Sequence, residues 1–400
     1  MSLFSAVELA PRDPIFGLTE QYIADTNPSK VNLGLGVYTG EDGKIPVLKC
    51  VAIAQKQISE NIIPKGYLPI DGMAAYTSGV KDLIFGQSSD VVKSGRVVAI
   101  QALGGTGALK VGADFLQTLT PDVPVMVSDP SWENHRALFS RAGFQVVAYP
   151  YYDAEKRAVN FEGMLNAFKV ATKGTIVLLH PCCHNPTGYD LSEDQWDQLI
   201  EVMRSNGLVP FLDMAYQGFG SGLKQDGVAV AKLVDSGLSF LLSSSFSKTF
   251  SLYGERVGAL SIVCTSQDEA KRVLSQVKLA IRTNYSNPPT FGAQLVSTVL
   301  GTPDLRTMWE NELEGMRVRI QGLRDQLLAK LKAAGVTEDM SFISAQNGMF
   351  SYSGLSKDQM VRLRSDFSIY GLDSGRICVA SLNAKNIDYV AHAIATVAKA

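Results

Sequence analysis

From about residue 95 onward the chain repeats one pattern: a short apolar run rich in β-branched residues, an amphipathic stretch, then another such run. The runs are RVVAIQ, VPVMVSD, FQVVAYP, TIVLLHP, LVPFLDMAY, LSFLLSSS and GALSIVC. Strands that are apolar on both faces need helices on both faces, which is the arrangement around a parallel sheet. The pattern therefore predicts an α/β fold with a mostly parallel, seven-stranded sheet. Nearly every run ends in polar residues or glycines, and in an open α/β sheet ligands sit at those carboxyl ends. VVAIQ is followed by Ala-Leu-Gly-Gly-Thr-Gly, VMVSD by Pro-Ser-Trp-Glu-Asn-His, IVLLH by Pro-Cys-Cys-His-Asn-Pro-Thr-Gly, VPFLD by Met-Ala-Tyr, and FLLSSS by Phe-Ser-Lys. Five loops are thus placed to converge on one pocket.

A chain of 400 residues exceeds what a single core usually organises, so a large domain carrying a smaller one is expected. Between 304 and 334, Leu305, Trp309, Leu313, Met316, Ile320, Leu323, Leu327 and Leu331 recur at steps of three or four. That spacing predicts one long amphipathic helix able to bridge the two domains. Thr302 is its candidate N-cap, Pro303 suits its first turn and Gly335 closes it. Beyond it, SFISAQNGMFSYSGLS and GRICVASL read as strand-like pieces, followed by a final helix reaching Ala400. Pro11 and Pro14 make the first dozen residues an extended arm or a frayed end. The expected division is an arm over 1–12, a small α+β domain from 13–45 and 315–400, and a large domain over 46–314.

Lys plus Arg (37) nearly balance Asp plus Glu (39), so no basic field favours nucleic acid or an anionic membrane. No apolar run approaches the roughly 18 residues of a membrane span, and MSLFSAVELAPRDP has neither the basic nor the apolar part of an export signal. Five irregularly placed Cys make no disulfide framework, and four His fall in no metal-ligand spacing. A cytoplasmic protein with a small-molecule ligand is expected.

Gly104, Gly105, Thr106 and Gly107 stand between a strand and a helix, where backbone N–H groups and the helix dipole can receive a phosphate. The same turn also reads as an ordinary tight turn, and it misses the G-x-G-x-x-G fingerprint of a nicotinamide dehydrogenase. Ser243, Ser244, Ser245 and Ser247 with Arg256 complement a phosphate dianion, and Lys248 adds an amine placed for Schiff-base chemistry. Asp213 closes an apolar strand, where its carboxylate needs a cationic or hydrogen-bonding partner: a protonated pyridine nitrogen, or an ordinary cap or ion pair. Tyr216 and Asn185 can hold a phenolic oxygen, Trp132 can stack on a planar ring, and Arg282 and Arg376 can each grip a carboxylate. Each of these residues alone also has a commonplace role in a turn, a core or a surface.

Together, from Val31-Asn32-Leu33-Gly34-Leu35-Gly36-Val37-Tyr38 to Gly375-Arg376 and in the same order, these motifs resemble the fold-type I, class I aminotransferases of the aspartate and aromatic-amino-acid branch. The resemblance implies pyridoxal 5′-phosphate as cofactor, with Lys248 as Schiff-base lysine and proton shuttle and Asp213 on the ring nitrogen. It implies Tyr216 and Asn185 on the phenolic oxygen, Trp132 over the ring, and Gly105, Thr106, Ser245 and Arg256 on the phosphate. Tyr67 would reach that phosphate across a dimer interface, so a homodimer with shared sites is implied. Arg376 would bind the substrate α-carboxylate, Arg282 of the second copy a distal carboxylate, Gly36 would line the substrate site, and His135 would support Asp213.

The implied reaction moves an amino group from phenylalanine, tyrosine, tryptophan or aspartate to 2-oxoglutarate by a ping-pong cycle. Arg282 favours dicarboxylates, whereas Gln346 to Gly354, Gly375 to Ala380 and Pro130 to His135 look nearer to the aromatic branch. Pro181 and Ser381 depart from the pattern beside the site. The alternatives are an aspartate aminotransferase of narrow specificity, a lyase or decarboxylase on the same fold, and a non-catalytic ligand-binding descendant.

Overall fold

The computed structural model describes residues 2–398. Its strands are β1 (Val31–Asn32), β2 (Val97–Leu103), β3 (Val125–Asp129), β4 (Val146–Pro150), β5 (Tyr152–Asp153), β6 (Ala158–Val159), β7 (Ile176–Leu179), β8 (Val209–Met214), β9 (Phe240–Ser245), β10 (Val257–Val263), β11 (Phe350–Tyr352), β12 (Ile369–Tyr370) and β13 (Arg376–Cys378). Each of the seven runs read from the sequence becomes a strand of one sheet, in the order β2-β10-β9-β8-β7-β3-β4. Neighbours are parallel except for β10, which is antiparallel to both β2 and β9.

The period-two geometry of strands explains why these runs are apolar throughout. Val98, Ile100, Ile176, Leu178, Phe211, Leu241 and Leu260 enter one buried cluster, with Leu109 and Val277 from the helices Gly104–Leu119 and Gln267–Asn284. Val97, Val177, Leu179, Leu212, Leu242 and Ala259 enter a second, with Trp196, Val230 and Val299 from Glu193–Asn206, Val228–Asp235 and Phe291–Gly301. Both faces are covered, as a parallel sheet requires.

The long helix spans Pro303–Ala333 and buries its expected stripe, with Arg324 added to it. Gly335 (φ +81°) closes it: its N–H donates to the Lys332 carbonyl at 3.0 Å, and that of Val336 to Leu331 at 3.1 Å. Thr302 takes the N-cap position, as expected. Its backbone is extended and its carbonyl accepts the Arg306 N–H at 2.9 Å, the first bond of the helix, but its side chain makes no cap bond. Pro303 at the first helical position leaves no N–H there unpaired, and Asp304 faces the positive helix end.

Beyond the helix, β11 pairs antiparallel with β13, and β12 runs parallel to β1, so the start of the chain is joined to its end. Of SFISAQNGMFSYSGLS only Phe350–Tyr352 is strand. Ser341–Ile343 is a 3-10 turn, where Asp339 Oδ1 accepts the Ser341 N–H at 2.9 Å and draws the backbone into a turn. The final helix is Ile387–Ala398; its expected extension to Ala400 lies outside the described residues. Residues 2–13 form neither helix nor strand and expose Leu3, Phe4, Val7 and Leu9, with a local turn at 3–6. Among the described residues no helix is long and apolar enough to cross a membrane.

Trp309 ties the long helix to the turn after β9. Its fully buried indole donates to the Thr249 carbonyl at 2.8 Å and stacks on Phe250 at 4.7 Å. Trp309→Phe keeps the stacking but leaves that carbonyl unpaired in a dry core, which costs about 1–3 kcal/mol. Urea unfolding should register the loss. A change below about 0.5 kcal/mol would show that another donor reaches Thr249.

Candidate active site

The reversal of β10 decides where its first residues lie. Val257 stands opposite Leu103, and Gly258 opposite Ser245, so the start of β10 meets the carboxyl ends of β2 and β9. Gly104, Gly105, Ser245 and Arg256 therefore converge. A Cβ on Gly104 would lie 2.6 Å from Arg256 Nη2, and one on Gly105 would lie 3.3 Å from Ser245 Cβ. Arg256 is anchored through its own carbonyl, which accepts the Gly104 N–H at 3.0 Å, and through Nη1, which donates to Ser247 Oγ at 3.3 Å and the Tyr253 carbonyl at 3.2 Å. Ser243 Oγ donates to the Gly105 carbonyl at 3.1 Å. The helix Gly104–Leu119 begins here, with Thr106 in its first turn, no capping side chain and no acid in that turn. Open N–H groups, a positive helix end and a guanidinium form an anion cradle.

Asp213, at the end of β8, is 5% exposed, and its Oδ2 is 2.8 Å from His135 Nε2. His135 Nδ1 lies 2.9 Å from Ser131 Oγ, which fixes the ring. Burial alone would raise the Asp213 pKa. The hydrogen bond from His135 and the positive groups around it, Lys248 included, outweigh that and hold the carboxyl below its ordinary range. His180 packs against His135 with ring centres 5.2 Å apart, and burial pulls it down to about 3, so it stays neutral. Trp132 stands edge-on to His135 at 5.1 Å, half-buried.

Lys248 sits in the turn after β9 with Nζ 4.8 Å from the Tyr216 ring centre. Burial draws its amine down to about 8; Asp213 opposes the shift, and Arg256 and Arg376 add to it. Tyr216 is 5% exposed, and burial pushes its phenol well up.

Arg376, at the start of β13, is 1% exposed. Nη1 donates to Asn185 Oδ1 at 3.0 Å, Nη2 donates to the Gly34 carbonyl at 2.7 Å, and the plane lies 4.1 Å from the Phe350 ring centre. Nε is buried without a partner. Gly36 leaves room for that same ring: a Cβ there would come within 2.6 Å of Phe350 Cζ. Tyr67 and Arg282 are not brought to this cluster. Tyr67 is 96% exposed, and Arg282 is exposed on the Gln267–Asn284 helix, bonded to Ser286.

Residues 28–394 match the family model for aminotransferase class I and II. An aspartate aminotransferase of Pseudomonas aeruginosa is 58% identical over 99% of this chain and 100% of its own length. An aromatic-amino-acid aminotransferase of Burkholderia pseudomallei, solved covalently bound to pyridoxal phosphate, is 61% identical with a TM-score of 0.97 over 99% of this chain and 100% of that one. A third, the aromatic amino acids aminotransferase of Psychrobacter sp. B6, cocrystallised with aspartic acid, is 45% identical with a TM-score of 0.97 over the full length of both. The chain belongs to the class I and II aminotransferases. It has the fold-type I architecture of that family and depends on pyridoxal phosphate.

The residues present fit that cofactor on their own chemistry. The uncapped helix with Arg256 suits a phosphate, the ionised Asp213 suits a protonated ring nitrogen, and the depressed amine of Lys248 suits an aldehyde. Two features of this aminotransferase escape sequence reading. Asp190 holds the Asn185 loop, accepting the N–H groups of Cys183 and His184 at 2.9 Å and Asn347 Nδ2 at 3.1 Å, and nothing in its local sequence signals this. Gly258 carries a signal, being a glycine in an otherwise apolar strand, which marks close backbone approach. A Cβ there would lie 2.4 Å from the Gly104 carbonyl carbon, against backbone rather than a movable side chain. Gly258→Ala must displace the Gly104 turn at an overpacking cost of about 1–3 kcal/mol. The dissociation constant for pyridoxal phosphate, from fluorescence titration of apo protein, should rise about tenfold or more. An unchanged constant would mean that the turn plays no part in holding the phosphate.

Proposed function

We propose that this aminotransferase exchanges the amino groups of phenylalanine, tyrosine and tryptophan, and of aspartate, with 2-oxoglutarate in a ping-pong cycle. The observation that carries the reading is Arg376: a buried guanidinium whose direct hydrogen-bond partners, Asn185 and Gly34, are both neutral. A buried guanidinium bonded only to neutral groups suits an anion, and a substrate α-carboxylate supplies one.

Bound pyridoxal phosphate supplies an aldehyde for amine exchange and a ring that draws electrons from the substrate α-carbon. In our reading Gly105, Thr106, Ser245 and Arg256 hold its phosphate, and Asp213, kept ionised by His135, faces the ring nitrogen. Trp132 covers the ring, while Tyr216 and Asn185 hold the phenolic oxygen. Lys248 Nζ takes the proton from the substrate α-carbon and returns it to the other carbon of the exchange. Arg376 orients the substrate, with Gly36 beside it. A guanidinium pairing with a distal carboxylate favours aspartate, and an aromatic side chain requires that it swing away.

Tyr67 and Arg282 take their parts only if a second copy brings them to this site, so we propose a homodimer. The exposed apolar side chains Leu3, Phe4, Val7, Leu9, Ile62 and Ile63 are the surface such a copy would cover. The arm at 1–12, the small domain at 13–45 and 315–400 and the large domain at 46–314 are the division we propose. The five free, buried cysteines suit a reducing, cytoplasmic setting.

A single-turnover titration of the pyridoxal form with aspartate, phenylalanine and tyrosine, followed by absorbance, tests the substrate reading. Conversion by both classes is expected. Conversion by aspartate alone makes the protein a narrow aspartate aminotransferase, and conversion by none overturns the reading.

The amine of Lys248 predicts a pH dependence. Only unprotonated amine attacks an aldehyde, and its fraction grows as pH rises through about 8. The rate at which apo protein captures pyridoxal phosphate should climb with pH and level off above that value. A midpoint near the ordinary lysine range, about 10.4, would mean a solvated lysine.

A further inference from the structure

Asp190 is bonded to two parts of the chain that both touch Arg376. Its Oδ1 accepts the His184 N–H at 2.9 Å, next to Asn185, whose Oδ1 accepts from Arg376 Nη1 at 3.0 Å. Its Oδ2 accepts the Cys183 N–H at 2.9 Å and also reaches 157 residues along the chain, accepting from Asn347 Nδ2 at 3.1 Å. Shortly after Asn347 comes Phe350, whose ring centre lies 4.1 Å from the Arg376 guanidinium. The stretch between them is held on both sides. The Asn347 N–H donates to the Gly188 carbonyl at 2.6 Å, and the buried Arg324 of the long helix donates from Nη2 to the carbonyls of Gly348 and Phe350 at 2.7 and 2.6 Å. A Cβ on Gly348 would lie 2.6 Å from Cys183 Cβ, so the two segments close up on each other.

We propose that Asp190 is a positioning residue for substrate binding: by tying the Asn185 loop to the segment 347–350 it fixes the place of the Arg376 guanidinium, and so sets the affinity for the α-carboxylate of every substrate. The inference rests on the reading of Arg376 as the carboxylate anchor. A carboxylate that collects backbone N–H groups has a plain use in stapling a loop. That use ends at Cys183 and His184. The bond to Asn347 closes a clamp around one guanidinium, with an amide oxygen on one side and an aromatic face on the other. The hydrogen-bond partners of Arg376 are neutral, so its place is set by these contacts and the Gly34 carbonyl rather than by an ion pair of its own. A two-bond fork to a carboxylate tolerates little misplacement. Lys248 and Asp213 stand outside the clamp, after β9 and at the end of β8, so proton transfer does not depend on it.

Asp190→Asn puts an amide donor where an acceptor stood. Whichever oxygen the amide replaces, at least one of the three donors then faces a donor. Burial pushes the Asp190 carboxyl up to about 6, so the comparison is made at about pH 8, where the parent is ionised. In the half-reaction of the holoenzyme, the dissociation constant for each amino acid the parent converts should rise about tenfold, with limiting rates within about threefold. In an Arg376→Lys background the same substitution should change the constants by less than about twofold, because the group it acts through is gone. Constants within about twofold of the parent in Asp190→Asn, or an equal rise in both backgrounds, overturn the proposal and leave Asp190 a staple of its loop. If Asp190→Asn fails to fold, Asn347→Ala cuts only the longer arm and should raise the constants about threefold; no rise there overturns the proposal as well. Failure of the anchor reading is seen separately, because Arg376→Lys alone would then leave the constants unchanged.

Discussion

The site hangs on one reversed strand. Six strands of the sheet run one way and β10 runs the other, bonded to β2 and β9. Were β10 parallel, Arg256 would emerge at the opposite edge, some 20 Å from the phosphate cradle, given about 3.3 Å per residue over seven residues. Because it is antiparallel, its first residue lies beside the last of β2, and its own glycine lets the Gly104 turn press against it. A serine-rich strand end, a glycine turn and an arginine from three places in the chain thereby become one anion cradle.

The electrostatics of the site follow from burial more than from net charge. The chain is almost neutral, yet Arg256 and Arg376 both act on Lys248, with Asp213 opposing them and Glu133 acting on Arg376. That surplus of positive charge matches the two anionic groups the site is read to accept, a phosphate at one end and a carboxylate at the other. The same burial that lowers the amine of Lys248 raises the cost of leaving Arg376 without an anion. One feature of the pocket therefore prepares both the proton carrier and the substrate anchor that we propose.

Much of this was legible in the sequence because strands buried on both faces have no polar face to disguise them, and all seven runs became strands of one sheet. Asp213, Lys248 and Asn185 stood out because they close or follow apolar strands, where an open α/β sheet gathers its ligand residues, whereas Arg376 begins its strand and took its part from the family resemblance. Strand direction was not legible, since an apolar run reads the same both ways and only Gly258 hinted at crowding. At Thr302 the position was legible and the bond was not: the residue caps the helix by place, while its side chain makes no bond to it. Asp190 was invisible because its importance comes from the backbone donors that surround it in space.

Arg376 joins segments that are far apart along the chain, since the Gly34 carbonyl it grips lies 342 residues earlier and Val31 pairs with Ile369. During synthesis at about 5–20 residues per second, the N-terminal strand must wait roughly tens of seconds for its partner to leave the ribosome. The sheet between them can collapse meanwhile, since its strands lie closer together in sequence. The substrate anchor we propose is therefore among the last parts to assemble, and a nascent or truncated chain lacking its final residues would have the anion cradle without that guanidinium.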